Sequence, residues 1–148
     1  FSQSGVERDF DLKIVGRRAW GDLPAMADYV ESPTDAELRS LVKGAQALFF
    51  PSIHEGFGLP IIEAQAAGTP VYCSDIDVFH EVGGTDINVF DPLDVGSIAE
   101  SLRTAASACD EGRAAAFSTP LFTRDNCRRA IAKSYREFGI ELEDLSYG

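Results

Sequence analysis

The sequence lacks the features that mark membrane, secreted or nucleic-acid-binding proteins. No apolar run reaches the ~18 residues of a membrane-spanning helix. The first ten residues contain no basic stretch followed by an apolar core, so we expect no secretory signal. Basic side chains are few, 13 against 24 acidic ones. The net charge of −11 argues against nucleic acid or an anionic membrane as a main partner.

Cysteine is scarce, and a starting methionine is absent. The 3 cysteines, Cys73, Cys109 and Cys127, are an odd number without the short spacings of a metal site. We therefore expect reduced thiols in a cytoplasmic protein. Because the chain starts at Phe1 rather than Met, we expect it to be a piece of a longer protein.

The 148 residues, with an ordinary balance of 45% apolar and 25% charged residues, are typical of one globular domain. Apolar runs that indicate buried strands occupy residues 11–16, 27–32, 47–52, 70–75 and 87–92. Helical patterns lie between them, at residues 34–45, 60–68 and 94–109, and another follows residue 126. Residues 79–84 are predicted to begin a further, short helix. The alternation predicts an α/β fold, a Rossmann-like parallel sheet with helices on both faces.

Residues 51–71, PSIHEGFGLPIIEAQAAGTPV, stand out because strand, glycine turn and helix follow one another there. Gly56 and Gly58 flank Phe57, Pro60 lies near the helix start, and Gly68 ends the helix. Parallel sheets bind ligands where their strands end. The first amides of the helix could hold a phosphate there. A plain structural turn is the alternative interpretation.

Two acidic residues border this turn. Glu55 lies in the turn itself, and Glu63 is expected at about the fourth helical position, leaning back towards the helix start. Taken singly, each residue has a simpler interpretation: Glu63 compensates the helix dipole, and Glu55 is a solvated loop charge. Together they suit a ligand that also carries hydroxyl groups, because carboxylates accept hydrogen bonds from ribose and sugar. A nucleotide sugar carries both a diphosphate and the hydroxyl groups of a ribose and a sugar.

Residues 51–71 resemble the Glu-x7-Glu motif of retaining glycosyltransferases of the GT-B fold, of the family 4 type. Glu55 and Glu63 have the spacing of that motif. The resemblance continues through four further stretches, residues 12–16, 29–52, 70–102 and 122–138. It implies that residues 1–148 form the C-terminal, donor-binding domain of a two-domain enzyme that binds a nucleotide sugar and transfers its sugar.

The resemblance also implies roles for single residues. Glu55 would be the catalytic group at the transferred sugar, as nucleophile or as positioning group, and Glu63 would hold the ribose hydroxyls. The amides of Gly58 and Leu59 would hold the diphosphate. The other donor-binding residues would be His54, Gly56, Phe57 and Pro60, with Val30 and Glu31 beside the base. The donor would be a UDP-, GDP- or ADP-sugar, and no metal or other cofactor would be required.

One segment of the family pattern is not found. Such a domain normally begins with another strand, followed by an Arg and a Lys that neutralise the leaving diphosphate. Its absence would leave strands 11–16 and 47–52 without their shared neighbour. Arg17 and Arg18 are the cations placed to contact phosphate, unless they only mark a solvated strand end. We expect the acceptor-binding N-terminal domain to lie outside these residues as well, and the residues alone to be inactive.

The resemblance leaves alternatives open. A non-catalytic nucleotide or sugar-phosphate binding module of the same fold remains a second hypothesis, and a sugar-nucleotide epimerase is a weaker third. The Asp-x-Asp sequence at residues 75–77 imitates a metal motif, but its place after a strand favours an ordinary turn. The expected location is the cytoplasm. Peripheral association with the cytoplasmic membrane face would come through the missing domain.

Overall fold

The computed structural model describes residues 1–16 and 25–110. A short 3-10 helix at Val6–Arg8 precedes the regular elements. The five strands are β1 Leu12–Val15, β2 Ala27–Val30, β3 Leu48–Phe50, β4 Val71–Ser74 and β5 Asn88–Phe90. The four helices of the described part are α1 Asp35–Gly44, α2 Leu59–Ala67, α3 Asp77–Gly83 and α4 Val95–Asp110. The prediction of alternating strands and helices is confirmed.

The described strands form two parallel sheets. One pairs β1 with β2, and the other has the order β3-β4-β5. In the second sheet Phe50 pairs with Cys73, and Ser74 pairs with Phe90. Among the described residues β1 and β3 do not pair. Because β3, β4 and β5 are parallel, their carboxyl ends share one edge, where ligands bind in such sheets.

Both faces of the three-stranded sheet are covered. On one face, Val71 and Cys73 of β4 pack with Ile61 of α2 and Phe79 of α3. On the other face, Tyr72, Phe90 and Ala105 form a second cluster, to which β3 and α4 contribute. All four residues of β4 are buried, as the continuous apolar run predicts for a central strand. Burial raises the pKa of the Cys73 thiol to about 12, with a further contribution from Asp75.

The helices begin and end where local chemistry dictates. Thr34 caps α1 in a reciprocal capping box with Glu37, as predicted. Glycines at positive φ bound α2, Gly58 before it and Gly68 after it. The short helix α3 begins at Asp77, earlier than the sequence pattern indicates, because Ile76 is its extended N-cap residue.

Some predictions lie outside the described residues. The final helix, expected after residue 126, belongs to this group. Within the described ranges, no helix is both long and apolar enough to cross a membrane.

Candidate donor site

The candidate site is the turn at residues 51–58, between the end of β3 and the start of α2. It lies at the carboxyl edge of the three-stranded sheet. Gln65 of α2 donates a hydrogen bond of 2.8 Å to the carbonyl oxygen of Gly83, at the end of α3. The buried amide therefore ties the helix that starts at the turn to its neighbour.

Gly58 occupies a position that only glycine fits well. Its φ is 90°, in the left-handed region that L-residues avoid. A Cβ atom there would lie 3.0 Å from Cε1 of Phe79, which is fully buried. Phe79 in turn stacks on Phe50 of β3, with ring centroids 5.1 Å apart. The end of the turn is therefore packed directly against the core.

The amides at the start of α2 are arranged to receive an anion. Pro60, the second residue of α2, has no N–H, and the Ile61 N–H donates to the Gly58 carbonyl oxygen at 3.0 Å. In the described part of the chain, the N–H groups of Gly58 and Leu59 have no acceptor. Unpaired amides at the positive end of a helix dipole are the usual protein ligands of phosphate groups.

Glu55 is held by a hydrogen bond that the sequence did not indicate. The hydroxyl of Ser52 donates to Oε1 of Glu55 at 3.1 Å. Both residues are half-buried, whereas their neighbours Ile53, His54 and Gly56 are exposed. Glu55 is therefore not a freely solvated loop charge. A serine three residues before the acid was the available signal, because that spacing lets its hydroxyl reach the carboxylate across a tight turn.

Glu63 lies one position later in the helix than predicted. It is the fifth residue of α2 rather than the fourth, and no acidic side chain occupies the first turn. Compensation of the helix dipole therefore explains the position of Glu63 less well than it would explain an acid in the first turn. Its side chain is exposed. Within the described ranges neither Glu55 nor Glu63 forms an ion pair, so both carboxylates can accept hydrogen bonds from a ligand.

The structure brings most of the remaining predicted residues together in the turn. His54 and Gly56 are exposed, as are Phe57 and Leu59, whose exposed fractions are 41% and 59%. Pro60 is half-buried at the start of α2. This segment therefore exposes two apolar side chains, Phe57 and Leu59, close in sequence to His54.

Val30 and Glu31 lie elsewhere, at the end of β2 in the other sheet. No hydrogen bond between described residues joins them to the glycine turn. Ser32, which the sequence did not single out, has a positive φ of 49°. Such backbone is uncommon for serine and marks this strand end as specialised. Arg17 and Arg18 lie outside the described residues.

The residues of the Asp-x-Asp sequence serve local structure. Asp75 contacts His80, with Oδ1 2.7 Å from Nε2, and Asp77 is the first residue of α3. In the described part, no group of three or more His, Cys, Asp or Glu residues is close enough to hold a metal ion.

A concavity of about 690 Å³ lies away from the turn, between the 3-10 helix and α4, beside Gln46 and Arg103. Arg103 already pairs with Glu100 at 2.7 Å. Among the described residues, the one basic side chain that lines the concavity is therefore already paired, and the concavity lies apart from Glu55 and Glu63.

Comparison with known proteins agrees with this geometry. The sequence profile of the family "Glycosyl transferases group 1" matches residues 23–115. The chain is 34% identical to the O-antigen chain mannosyltransferase B of Escherichia coli, over 89% of this chain and 35% of that protein. It is 32% identical to the MMP alpha-(1->4)-mannosyltransferase of Mycolicibacterium hassiacum, over 73% of this chain and 31% of that protein.

Another relative matches a shorter segment at a higher identity. The O-antigen chain mannosyltransferase RfbU of Salmonella typhimurium is 63% identical over 31% of this chain and 13% of that protein. The chain thus spans about a third, or less, of the length of these relatives. The family profile covers more than half of the chain and includes the whole glycine turn with both carboxylates. The chain belongs to the glycosyl transferases group 1 family.

Proposed function

We propose that this chain is the donor-binding domain of a two-domain retaining glycosyltransferase that uses a nucleoside diphosphate sugar. The turn at residues 51–58 carries the proposal. It combines two unpaired amides at the start of α2 with the carboxylate of Glu55, and Glu63 follows within α2. Neither carboxylate has an ion-pair partner among the described residues. The amides suit the diphosphate of such a donor, and the carboxylates can accept hydrogen bonds from the hydroxyl groups of its ribose and its sugar.

Each part of the donor has a proposed partner. The N–H groups of Gly58 and Leu59 hold the diphosphate, and Glu63 accepts hydrogen bonds from the ribose hydroxyls. Glu55 contacts the transferred sugar next to its anomeric carbon. The base lies beside Val30 and Glu31, where the positive φ of Ser32 shapes the backbone. We propose no metal cofactor, since the helix start and its amides stabilise the phosphate charge.

In the proposed reaction an acceptor hydroxyl attacks the anomeric carbon on the face from which the diphosphate leaves. The bond between that carbon and the phosphate oxygen breaks, and the nucleoside diphosphate departs with the electron pair. The proton of the acceptor hydroxyl passes to the leaving phosphate oxygen. The configuration is retained, and Glu55 stabilises positive charge that develops on the sugar.

The relatives narrow the proposed substrate. Proteins named O-antigen chain mannosyltransferase and MMP alpha-(1->4)-mannosyltransferase match most of this chain. We therefore propose mannose as the transferred sugar and a growing polysaccharide as the acceptor. A separate N-terminal domain would bind the acceptor, in the cytoplasm or at the cytoplasmic membrane face.

Calorimetric titration of the chain with UDP, GDP and ADP, and with the mannose ester of each, tests the donor site. One nucleotide should bind, and Glu63→Ala should weaken its binding by about 1–3 kcal/mol, because a hydrogen bond to a charged group is lost. Glu100→Ala is the matched control. Glu100 is an exposed glutamate of α4, in a surface pair whose loss should leave nucleotide affinity unchanged.

The outcomes separate the hypotheses. If the folded chain binds none of the three nucleotides, the donor-site proposal is wrong. If it binds one, but the full-length protein transfers no mannose from that donor, the non-catalytic binding module is the better description.

A further inference from the structure

We propose that Ser52 is a positioning residue, which holds the carboxylate of Glu55 in the orientation that sugar transfer requires. The inference rests on the proposed function of the turn and adds to it a residue that does not contact the donor. The contact that carries it is the hydrogen bond from the Ser52 hydroxyl to Oε1 of Glu55, at 3.1 Å.

The burial pattern of the turn supports this role. From residue 51 to residue 57 only Ser52 and Glu55 are half-buried, and the other five are exposed. Partial burial of a carboxylate loses hydration, which the hydroxyl hydrogen bond replaces. The two side chains are therefore sheltered as a pair, while the other residues from 51 to 57 are exposed to the solvent.

The contact also restricts where Glu55 can point. A free glutamate side chain samples many rotamers, and fixing it in one costs entropy. One oxygen atom of Glu55 is bound to Ser52, so the other, Oε2, is left to face the donor. Ser52 is the second residue after β3, and the fixed φ of Pro51 limits the backbone that connects Ser52 to the strand. The orientation of Glu55 is thus fixed, through Ser52, by the end of β3.

Steady-state kinetics of the full-length protein test the proposal through Ser52→Ala. We expect kcat to fall about 10- to 100-fold, because a misplaced group costs on that order. KM for the nucleotide sugar and the affinity for the free nucleotide should change less than about 3-fold, since the amides and Glu63 do not depend on Ser52. Ser52→Thr keeps the hydroxyl and should restore most of kcat.

Two further variants make the test specific. Ser107→Ala removes an exposed hydroxyl of α4, which donates to the Arg103 carbonyl oxygen, and should leave kcat unchanged. In a Glu55→Ala background, Ser52→Ala should have no further effect, because a positioning residue acts only through its partner. Equal losses of nucleotide affinity and kcat, or additive effects of the two substitutions, would show a merely structural role and overturn the proposal.

A second readout does not depend on catalysis. Side-chain NMR of Glu55 should show one rotamer in the wild-type protein and in Ser52→Thr, and rotamer averaging in Ser52→Ala. Rotamer averaging of Glu55 in the wild-type protein would refute the positioning role, even if the enzyme transfers sugar. Absence of sugar transfer by a wild-type protein with an ordered Glu55 would instead count against the proposed function alone.

Discussion

At the residue scale, Gly58 links the site to the core. Its backbone is left-handed, and a Cβ atom there would crowd the ring of Phe79. Gly56, two residues earlier, has open space around it and no positive φ. The two glycines of the turn therefore have different roles. Gly58 is required by conformation and packing, whereas Gly56 is not required by either.

Gly58→Ala is expected to lower the free energy of unfolding by about 2–4 kcal/mol. The left-handed backbone costs an L-residue about 1–2 kcal/mol, and crowding of a packed core typically costs about 1–3 kcal/mol. Gly56→Ala is the matched control and should change stability by less than about 1 kcal/mol. Urea unfolding of both variants measures the difference. Equal effects would contradict the distinction between the two glycines.

At the scale of elements, α1 depends on its capping box. Oε2 of Glu37 accepts hydrogen bonds from the Thr34 hydroxyl at 2.7 Å and from the Thr34 N–H at 2.8 Å. The bond from the hydroxyl, followed by the one from the backbone, lowers the pKa of the Glu37 carboxyl. Folding thus favours the ionised carboxylate. Stability from this contact is present above the pKa of the unfolded chain and is lost as the pH falls through the lowered value.

Thr34→Ala should destabilise the chain by about 1 kcal/mol at pH 7, the usual cost of losing an N-cap. The difference between wild type and variant should shrink as the pH falls through the lowered pKa of Glu37, because the carboxylate is then protonated. Thr104→Ala is the control, since the Thr104 hydroxyl only donates to the Glu100 carbonyl oxygen within α4. Thermal unfolding at pH 7 and pH 3 would check this. A difference that is the same at both pH values would contradict the role of the carboxylate.

The elements themselves were largely predictable from the sequence. Continuous apolar runs indicated every strand in the described ranges, and capping signals indicated the starts of α1 and α2. The start of α3 was misplaced, because Ile76 caps it without the polar side chain that usually marks an N-cap. The contact between Ser52 and Glu55 was not predicted either. The serine three residues before the acid was a signal for it, but whether the hydroxyl reaches the carboxylate depends on the turn geometry, which spacing alone does not fix.

At the scale of the whole molecule, charge works against the proposed ligand. The net charge is −11, and neither Glu55 of the turn nor Glu63 of α2 has an ion-pair partner in the described part. A nucleoside diphosphate is itself an anion. Binding must then rely on short-range hydrogen bonds from amides, since the long-range field of the chain repels the ligand.

Nucleotide affinity should therefore rise as salt is added. We expect a gain of about 2- to 5-fold between ~20 and ~200 mM NaCl, since screening weakens the repulsion between like charges. The nucleoside without phosphates is the control, and its affinity should not depend on salt. Calorimetry at the two salt concentrations measures both. A fall in nucleotide affinity with salt would instead indicate that cations such as Arg17 and Arg18 dominate the contact.

The path of the chain between β3 and β4 has a consequence for folding kinetics. Phe50 and Cys73 are neighbours in the sheet, yet the entire glycine turn and α2 lie between them in sequence. The two strands can pair only after this segment has closed on itself, and the entropy of closure is lost before the pairing energy is gained. The turn that is proposed to hold the donor is thus also part of the loop whose closure limits how fast the sheet assembles.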